Sequence, residues 1–448
     1  MRECNMICPK GKTPRSIIKL SRLDMLIRTP YSHTTLIYIY HPQGNNNKSN
    51  NISTFFDTQI LKDSLSRVLM PFYPLAGRLR KNIDNGEIEI DCNAQGVLFV
   101  EVQTSLALTN FKNYKSNIEL RKMVIPTCDY SKGLSSFPLF MVQFTRFKCG
   151  GVCMGIATHH HVNDGSAYAY FMSSWARAAR GLEFLVLPVH DRSAIHQFTA
   201  HDLNQIKFRH LEFEPSLPPT VSFGKMCTSM ESSFTLSKSL INALKQEATP
   251  KQAEISNFST FEIVAAHVWR TTCKVRGLQP DQDVKLYIPI DGRSRLKNPN
   301  PPKGYYGNLV FFTACIAKSR DITCNPLWYA ATKIKEALQR TKDEEYLKSA
   351  LNFLETFPKD DPMVVLSGPE SITSPNLMIN SWAKLHFYET DFGWGNPIFG
   401  GAGGVKYEGL SFLVPNRDGG FSLSINLFKD DMSLFEKCLY GFRIVSSI

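Results

Sequence analysis

Strand-like and helix-like stretches alternate along almost the whole chain, and this switching of period narrows the fold more than any other feature. TTLIYIY (34–40), EIEIDC (87–92) and VLFVEV (97–102) read as strands, through β-branched content or strict alternation. PLFMVQFTRF (138–147) and GVCMGIAT (151–158) read as two more, joined by a tight KCGG turn. LYIPID (286–291), NLVFFTACIA (308–317) and FSLSINLF (421–428) continue the set in the second half. Helical patterns lie between them. Leu61, Leu65, Val68 and Leu69 share one face of a helix that Pro71 ends. Ala167, Tyr170, Phe171, Trp175 and Ala178 mark a helix over 166–180, terminated by Gly181. Further helices are predicted over 235–246, 259–272, 328–340, 345–357 and 431–440. With several antiparallel-looking strand pairs and no internal repeat, the pattern predicts a two-domain α/β sandwich.

A length of 448 residues suits two hydrophobic cores better than one. The segment 187–222 is rich in His, Pro and polar residues and lacks periodicity. It places a linker at 191–220, between an N-terminal domain over 1–190 and a C-terminal domain over 221–448. The polar run at 44–50 reads as a surface loop.

Several function classes fall away on composition. No stretch of about 18 apolar residues is free of charges, and the start has no apolar run of signal-peptide length. The chain is therefore expected to be cytoplasmic, without a membrane span. Its 11 cysteines are scattered and odd in number, with no zinc-type pairing, so they read as buried thiols. The net charge of +11 would suit nucleic acid, an anionic membrane or a polyanionic cosubstrate. Lys and Arg form no compact stripe with interleaved aromatics, so no nucleic-acid partner is expected. A phosphate-bearing cosubstrate fits the charge with fewer assumptions.

THHHVNDG (158–165) is the densest chemical signal. If the preceding strand continues into it, His159 and His161 face one way and His160 the other. Asp164 follows across a bend for which Gly165 gives room. Imidazole, with an ordinary pKa of ~6.5, can take a proton at neutral pH and return it later. On chemistry alone the run is read as a general base, as structural histidines or, less readily, as a metal site. Consecutive strand residues cannot all aim at one ion, and no Glu or Cys at ligand spacing completes a set. Other engines are missing: there is no complete Walker loop, no G-x-S-x-G elbow and no early G-x-G-x-x-G. Two further segments stand out. DFGWG (391–395) implies a tight, close-packed turn around Trp394. DGRSR (291–295) sets two arginines directly after the strand read at 286–291.

These segments together resemble the plant BAHD acyltransferase family. His160-x-x-x-Asp164-Gly165 matches its catalytic motif, and Asp391-Phe392-Gly393-Trp394-Gly395 its second signature. Phe72 to Arg78, Asp291 to Arg295 and Tyr305-Tyr306-Gly307-Asn308 resemble three more of its segments, in the expected order. The resemblance implies two chloramphenicol-acetyltransferase-like domains with an interdomain active-site channel. It implies an acyl-CoA donor as cosubstrate, a small-molecule acceptor, no cofactor or metal, and a monomer. His160 would be the general base and Trp394 the oxyanion donor. Asp164 and Arg293 would pair to hold the loop, with Gly165, Asp391, Gly393 and Gly395 structural at the site. Wider segments, such as IEIDCNAQGVLFVE (88–101) and PNLMINSWAKL (375–385), look nearest to the hydroxycinnamoyl-CoA shikimate and quinate transferases. Tyr38 and Tyr40 lie in the strand matching the family's first substrate-lining strand. Lys384 stands where this branch usually has arginine, and it lacks that residue's planar grip on a carboxylate. A CoA-thioester hydrolase and a non-catalytic binding protein are the rival readings.

Overall fold

A computed structural model describes residues 2–26, 31–42, 55–111, 118–199, 206–218, 228–249, 257–357 and 369–441. The loop expected at 44–50 and parts of the 191–220 linker lie outside them. In chain order the first strands are β1 (Arg2–Ile7), β2 (Ile17–Lys19), β3 (His33–Tyr40), β4 (Arg78–Lys81) and β5 (Ile88–Asp91). Next come β6 (Val97–Gln103), β7 (Phe140–Arg146), β8 (Val152–His159), β9 (Ser229–Leu236) and β10 (Asp283–Asp291). The last are β11 (Val310–Lys318), β12 (Leu377–Ser381), β13 (Phe399–Ala402), β14 (Leu410–Pro415) and β15 (Phe421–Phe428).

Two compact units divide these elements. One comprises Met1–Gln197, Pro299–Leu309 and Leu385–Gly404; the other comprises Phe198–Asn298, Val310–Lys384 and Val405–Ile448. They are discontinuous, where continuous ranges were expected. The reason is visible in the ladders: β13, far along the chain, pairs antiparallel with β3 through Phe399–Ile39 and Ala402–Leu36. DFGWG therefore belongs with the first unit, not with the C-terminal half.

The first unit holds a mixed sheet in the order β1-β6-β7-β8-β3-β13 and a small sheet β2-β5-β4. Only β6 and β7 run parallel in the large sheet. The β7–β8 hairpin closes as the sequence suggests, with Gly150 at φ 82° in its turn. Strand β8 is buried along its whole length, which explains its continuous apolar run. Gly155 at its centre allows a close backbone crossing, since a Cβ there would sit 2.0 Å from the Val124 carbonyl oxygen. Helix Gly165–Ala179 follows, its Trp175 Nε1–H donating to Ser64 Oγ (3.1 Å) on helix Thr58–Val68. Phe140, Phe144 and Phe171 surround that indole.

The second unit's sheet runs β11-β10-β12-β14-β15-β9, with β12 parallel to both its neighbours. Inside it, a buried Arg276–Glu408 ion pair (2.6 Å) also ties Ser374 N–H to Glu408 (2.7 Å). His210 bridges Glu212 Oε1 and Ser349 Oγ, each at 3.0 Å, fastening the segment 206–218 to helix Glu344–Glu355. The polar edge strand β9, SMESSFTL, precedes a helix that runs Lys238–Glu247 rather than 235–246. Ser237 sets its start by accepting from Leu240 N–H. Among the described residues no helix is long and apolar enough to cross a membrane.

Candidate active site

The histidine run splits as its alternation predicts. His159 and His161 are buried, stacked on one another at 5.0 Å, with His159 also stacked on Phe137. His33 meets His159 edge-on at 5.2 Å and lies between Tyr130 Oη (2.6 Å) and the Pro138 carbonyl (2.8 Å). Burial pushes the His33 imidazole down to about 4, although the Pro138 bond opposes it. His160 is half-buried and turns instead to Asn308, whose Oδ1 lies 3.1 Å from Nδ1. Burial lowers the His160 pKa from its ordinary 6.5, outweighing the opposing pull of Asp164 and the Asn308 bond. At neutral pH the ring is uncharged, the state a general base requires.

Asp164 is the N-cap of helix Gly165–Ala179. Its Oδ1 accepts from Ala167 N–H (2.9 Å) and its Oδ2 from Leu309 N–H (2.8 Å). It thus joins the bend after His160 to the 304–309 segment. Asn163 adds a second tie by donating to Tyr306 Oη (2.8 Å). At Gly165 a Cβ would stand 2.9 Å from Leu385 Cδ1, so that side chain packs directly over the start of the helix. Lys384, exposed, is the residue before Leu385. Arg293 lies in the second unit, where its N–H (2.9 Å) and Nη1 (3.2 Å) meet Asp291 Oδ1.

Three residues of this centre escaped the sequence reading. Asp24 is fully buried and its carboxylate accepts five bonds. Oδ1 takes Asn308 N–H (3.0 Å) and Nδ2–H (2.7 Å). Oδ2 takes Ser21 N–H (2.9 Å), Ser21 Oγ–H (2.8 Å) and Arg192 Nε–H (3.0 Å). Arg192, itself buried, donates onward to the carbonyls of Val162 (2.9 Å), His190 (3.2 Å) and Tyr306. One guanidinium therefore gathers the loop after His160, the 304–309 segment and the N-terminal helix Arg22–Met25. Ser21-x-x-Asp24 was a readable signal, being the spacing of a capping box, which it forms.

The second signature motif lies elsewhere. Asp391 Oδ1 accepts from Gly393 and Gly395 N–H, both at 2.8 Å, and both glycines have positive φ. Trp394 stacks on Phe56 at 5.0 Å, Phe56 packs on Tyr40 at 4.4 Å, and Tyr40 Oη donates to the Thr390 carbonyl (2.9 Å). In the β3–β8 ladder Tyr40 pairs with Val152, whereas His33 pairs with His159. Seven residues of strand, roughly 23 Å at ~3.3 Å each, separate those ends. Trp394 is accordingly a packing residue at the far end of the sheet from His160, not an oxyanion donor to it. Tyr38 and Tyr40 are each 1% exposed, and Tyr38 Oη accepts from Tyr168 Oη–H (3.2 Å). Both belong to the core. Among the described residues no group of three or more His, Cys, Asp or Glu could hold a metal ion.

The family model described as "Transferase family" matches residues 1–441. Anthranilate N-benzoyltransferase protein 2 of Dianthus caryophyllus is 46% identical over 450 residues, covering 99% of both chains. Shikimate O-hydroxycinnamoyltransferase of Nicotiana tabacum is 42% identical over 452 residues, again covering 99% of each. The crystal structure of vinorine synthase matches with a TM-score of 0.73 at 25% identity, covering 98% of both chains, so the two-unit mixed α/β fold is shared. Benzoyl- and hydroxycinnamoyl-transferases both stand among these relatives, and the hydroxycinnamoyl branch is not set apart as the wider segments suggested. The chain belongs to the plant BAHD family and is an acyl-CoA-dependent acyltransferase.

Proposed function

We propose that the enzyme moves an aromatic acyl group from its CoA thioester to the hydroxyl or amine of a small carboxylate-bearing acceptor, with His160 as general base. The observation that carries this reading is a neutral, half-buried imidazole whose Nδ1 is engaged by Asn308, which leaves Nε2 for the acceptor. Nε2 takes the proton from the acceptor O–H or N–H as that atom bonds to the thioester carbonyl carbon. The tetrahedral adduct then collapses, the C–S bond breaks, and the departing CoA thiolate recovers the proton from Nε2. The imidazole ends neutral, as it began. No acyl-enzyme is needed.

Hydroxycinnamoyl groups such as p-coumaroyl or caffeoyl, with shikimate or quinate as acceptor, form the first version of this reading. The names of the Dianthus caryophyllus relatives favour a second, benzoyl transfer to anthranilate, an amine. Shikimate, quinate and anthranilate all carry a carboxylate. Lys384, exposed next to the leucine that covers Gly165, supplies a cation for it. Lysine offers a point charge rather than a bidentate fork, so a modest preference for acidic acceptors is expected.

Purified enzyme given p-coumaroyl-CoA or benzoyl-CoA with shikimate, quinate, anthranilate and their methyl esters tests this. CoA thiol is expected only with an acceptor present, and more slowly with the esters. Equal release without any acceptor would make the enzyme a thioester hydrolase. Thioester binding with no release under any condition would make it a binding protein.

A further inference from the structure

The amide of Asn308 has a fixed orientation, and its cause lies two residues deeper. Nδ2 stands 2.7 Å from Asp24 Oδ1 and 2.8 Å from the His160 carbonyl oxygen. Neither of those oxygens can donate, so the NH2 group must face them. Turning the amide over would set its oxygen against two other oxygens in a buried site, with Asn308 only 1% exposed. Oδ1 is thereby held toward His160 Nδ1 at 3.1 Å, and only a protonated Nδ1 satisfies it.

Asp24 cannot drift from this position. Arg192 Nε and both Ser21 donors hold its Oδ2, while the Asn308 N–H and Nδ2–H meet its Oδ1. We infer that Arg192, Asp24 and Asn308 form a positioning relay that fixes the proton of neutral His160 on Nδ1 and leaves Nε2 bare to receive the acceptor's proton. This rests on reading His160 as the base. Asn308 touches neither substrate in this account and acts only through the ring. Losing the relay puts a share of the imidazole into the Nε2–H form, which cannot accept a proton. Where a single partner sets a catalytic histidine's tautomer, its loss costs up to ~10^4-fold. Asn308 is a neutral partner rather than a charged one, so a smaller effect is expected.

Enzyme labelled with 15N-histidine tests the relay, the His160 signals being identified by their absence from H160A. At neutral pH the wild type is expected to show a protonated Nδ1 and a bare Nε2. In Asn308→Ala the two nitrogens should become averaged, kcat should fall about 10- to 100-fold, and KM for acyl-CoA should stay within about threefold. Asn308→Asp sets an oxygen against Asp24 Oδ1 and the His160 carbonyl in place of the Nδ2 donor, so it should restore neither Nδ1 protonation nor kcat. A wild-type spectrum with the proton on Nε2 would overturn the relay, even if no variant folds. So would an Asn308→Ala enzyme with an unchanged spectrum and kcat. Failure of the base reading looks different: H160A would then turn over normally, whatever the spectrum shows.

Discussion

Replacing His160 by alanine is expected to lower kcat by about 10^3-fold or more while leaving the fold intact. A positioned general base is worth roughly 10^2- to 10^4-fold. Here the same nitrogen also returns the proton to the leaving thiolate, so both halves of the reaction lose their carrier. The fold should tolerate the change because the ring is half-buried at the end of β8, whereas the packing of that region rests on His159 and His161. Acyl-CoA turnover and circular dichroism, measured together, separate the two effects. Turnover within tenfold of wild type would remove His160 from the chemistry.

Asp24→Ala should have the largest effect on stability. It leaves Arg192 buried without its ion partner and removes the acceptor for two Asn308 donors and two Ser21 donors. Breaking a buried pair from one side typically costs about 3–5 kcal/mol. Asp24→Asn is expected to do little better. An amide presents one oxygen and one NH2, and the NH2 face must meet either the Asn308 donors or the Ser21 and Arg192 donors. Denaturant unfolding of both variants beside the wild type checks this, and a loss below about 1 kcal/mol for Asp24→Ala would show that Asp24 does not hold the region together.

Much of this centre was legible in the sequence, for reasons that are local. Strand alternation predicted the opposite facing of His160 and its neighbours. The sequence set Asp164 at the bend before a helix over 166–180, and Asp164 caps the helix that follows. The β7–β8 hairpin followed from two apolar runs and a glycine turn. What was missed depends on chain segments meeting in space. Asp24 and Asn308 are 284 positions apart, and no periodicity links them. Trp394 was misplaced because motif order says nothing about which end of a strand a loop packs on. The edge strands β1 and β9 escaped notice because they bury little of their surface and stay polar.

The pH dependence of kcat/KM for the acyl-CoA donor bears most directly on whether a neutral imidazole does the chemistry. The rate should be flat through neutral pH and fall on the acid side with a single ionisation centred below 6.5, because burial lowers the pKa of His160 from that value. Protonation of the ring at low pH removes the lone pair that receives the proton, so the sign is a loss toward acid. An acid limb centred above 6.5, or a rate that climbs as the pH drops, would contradict it.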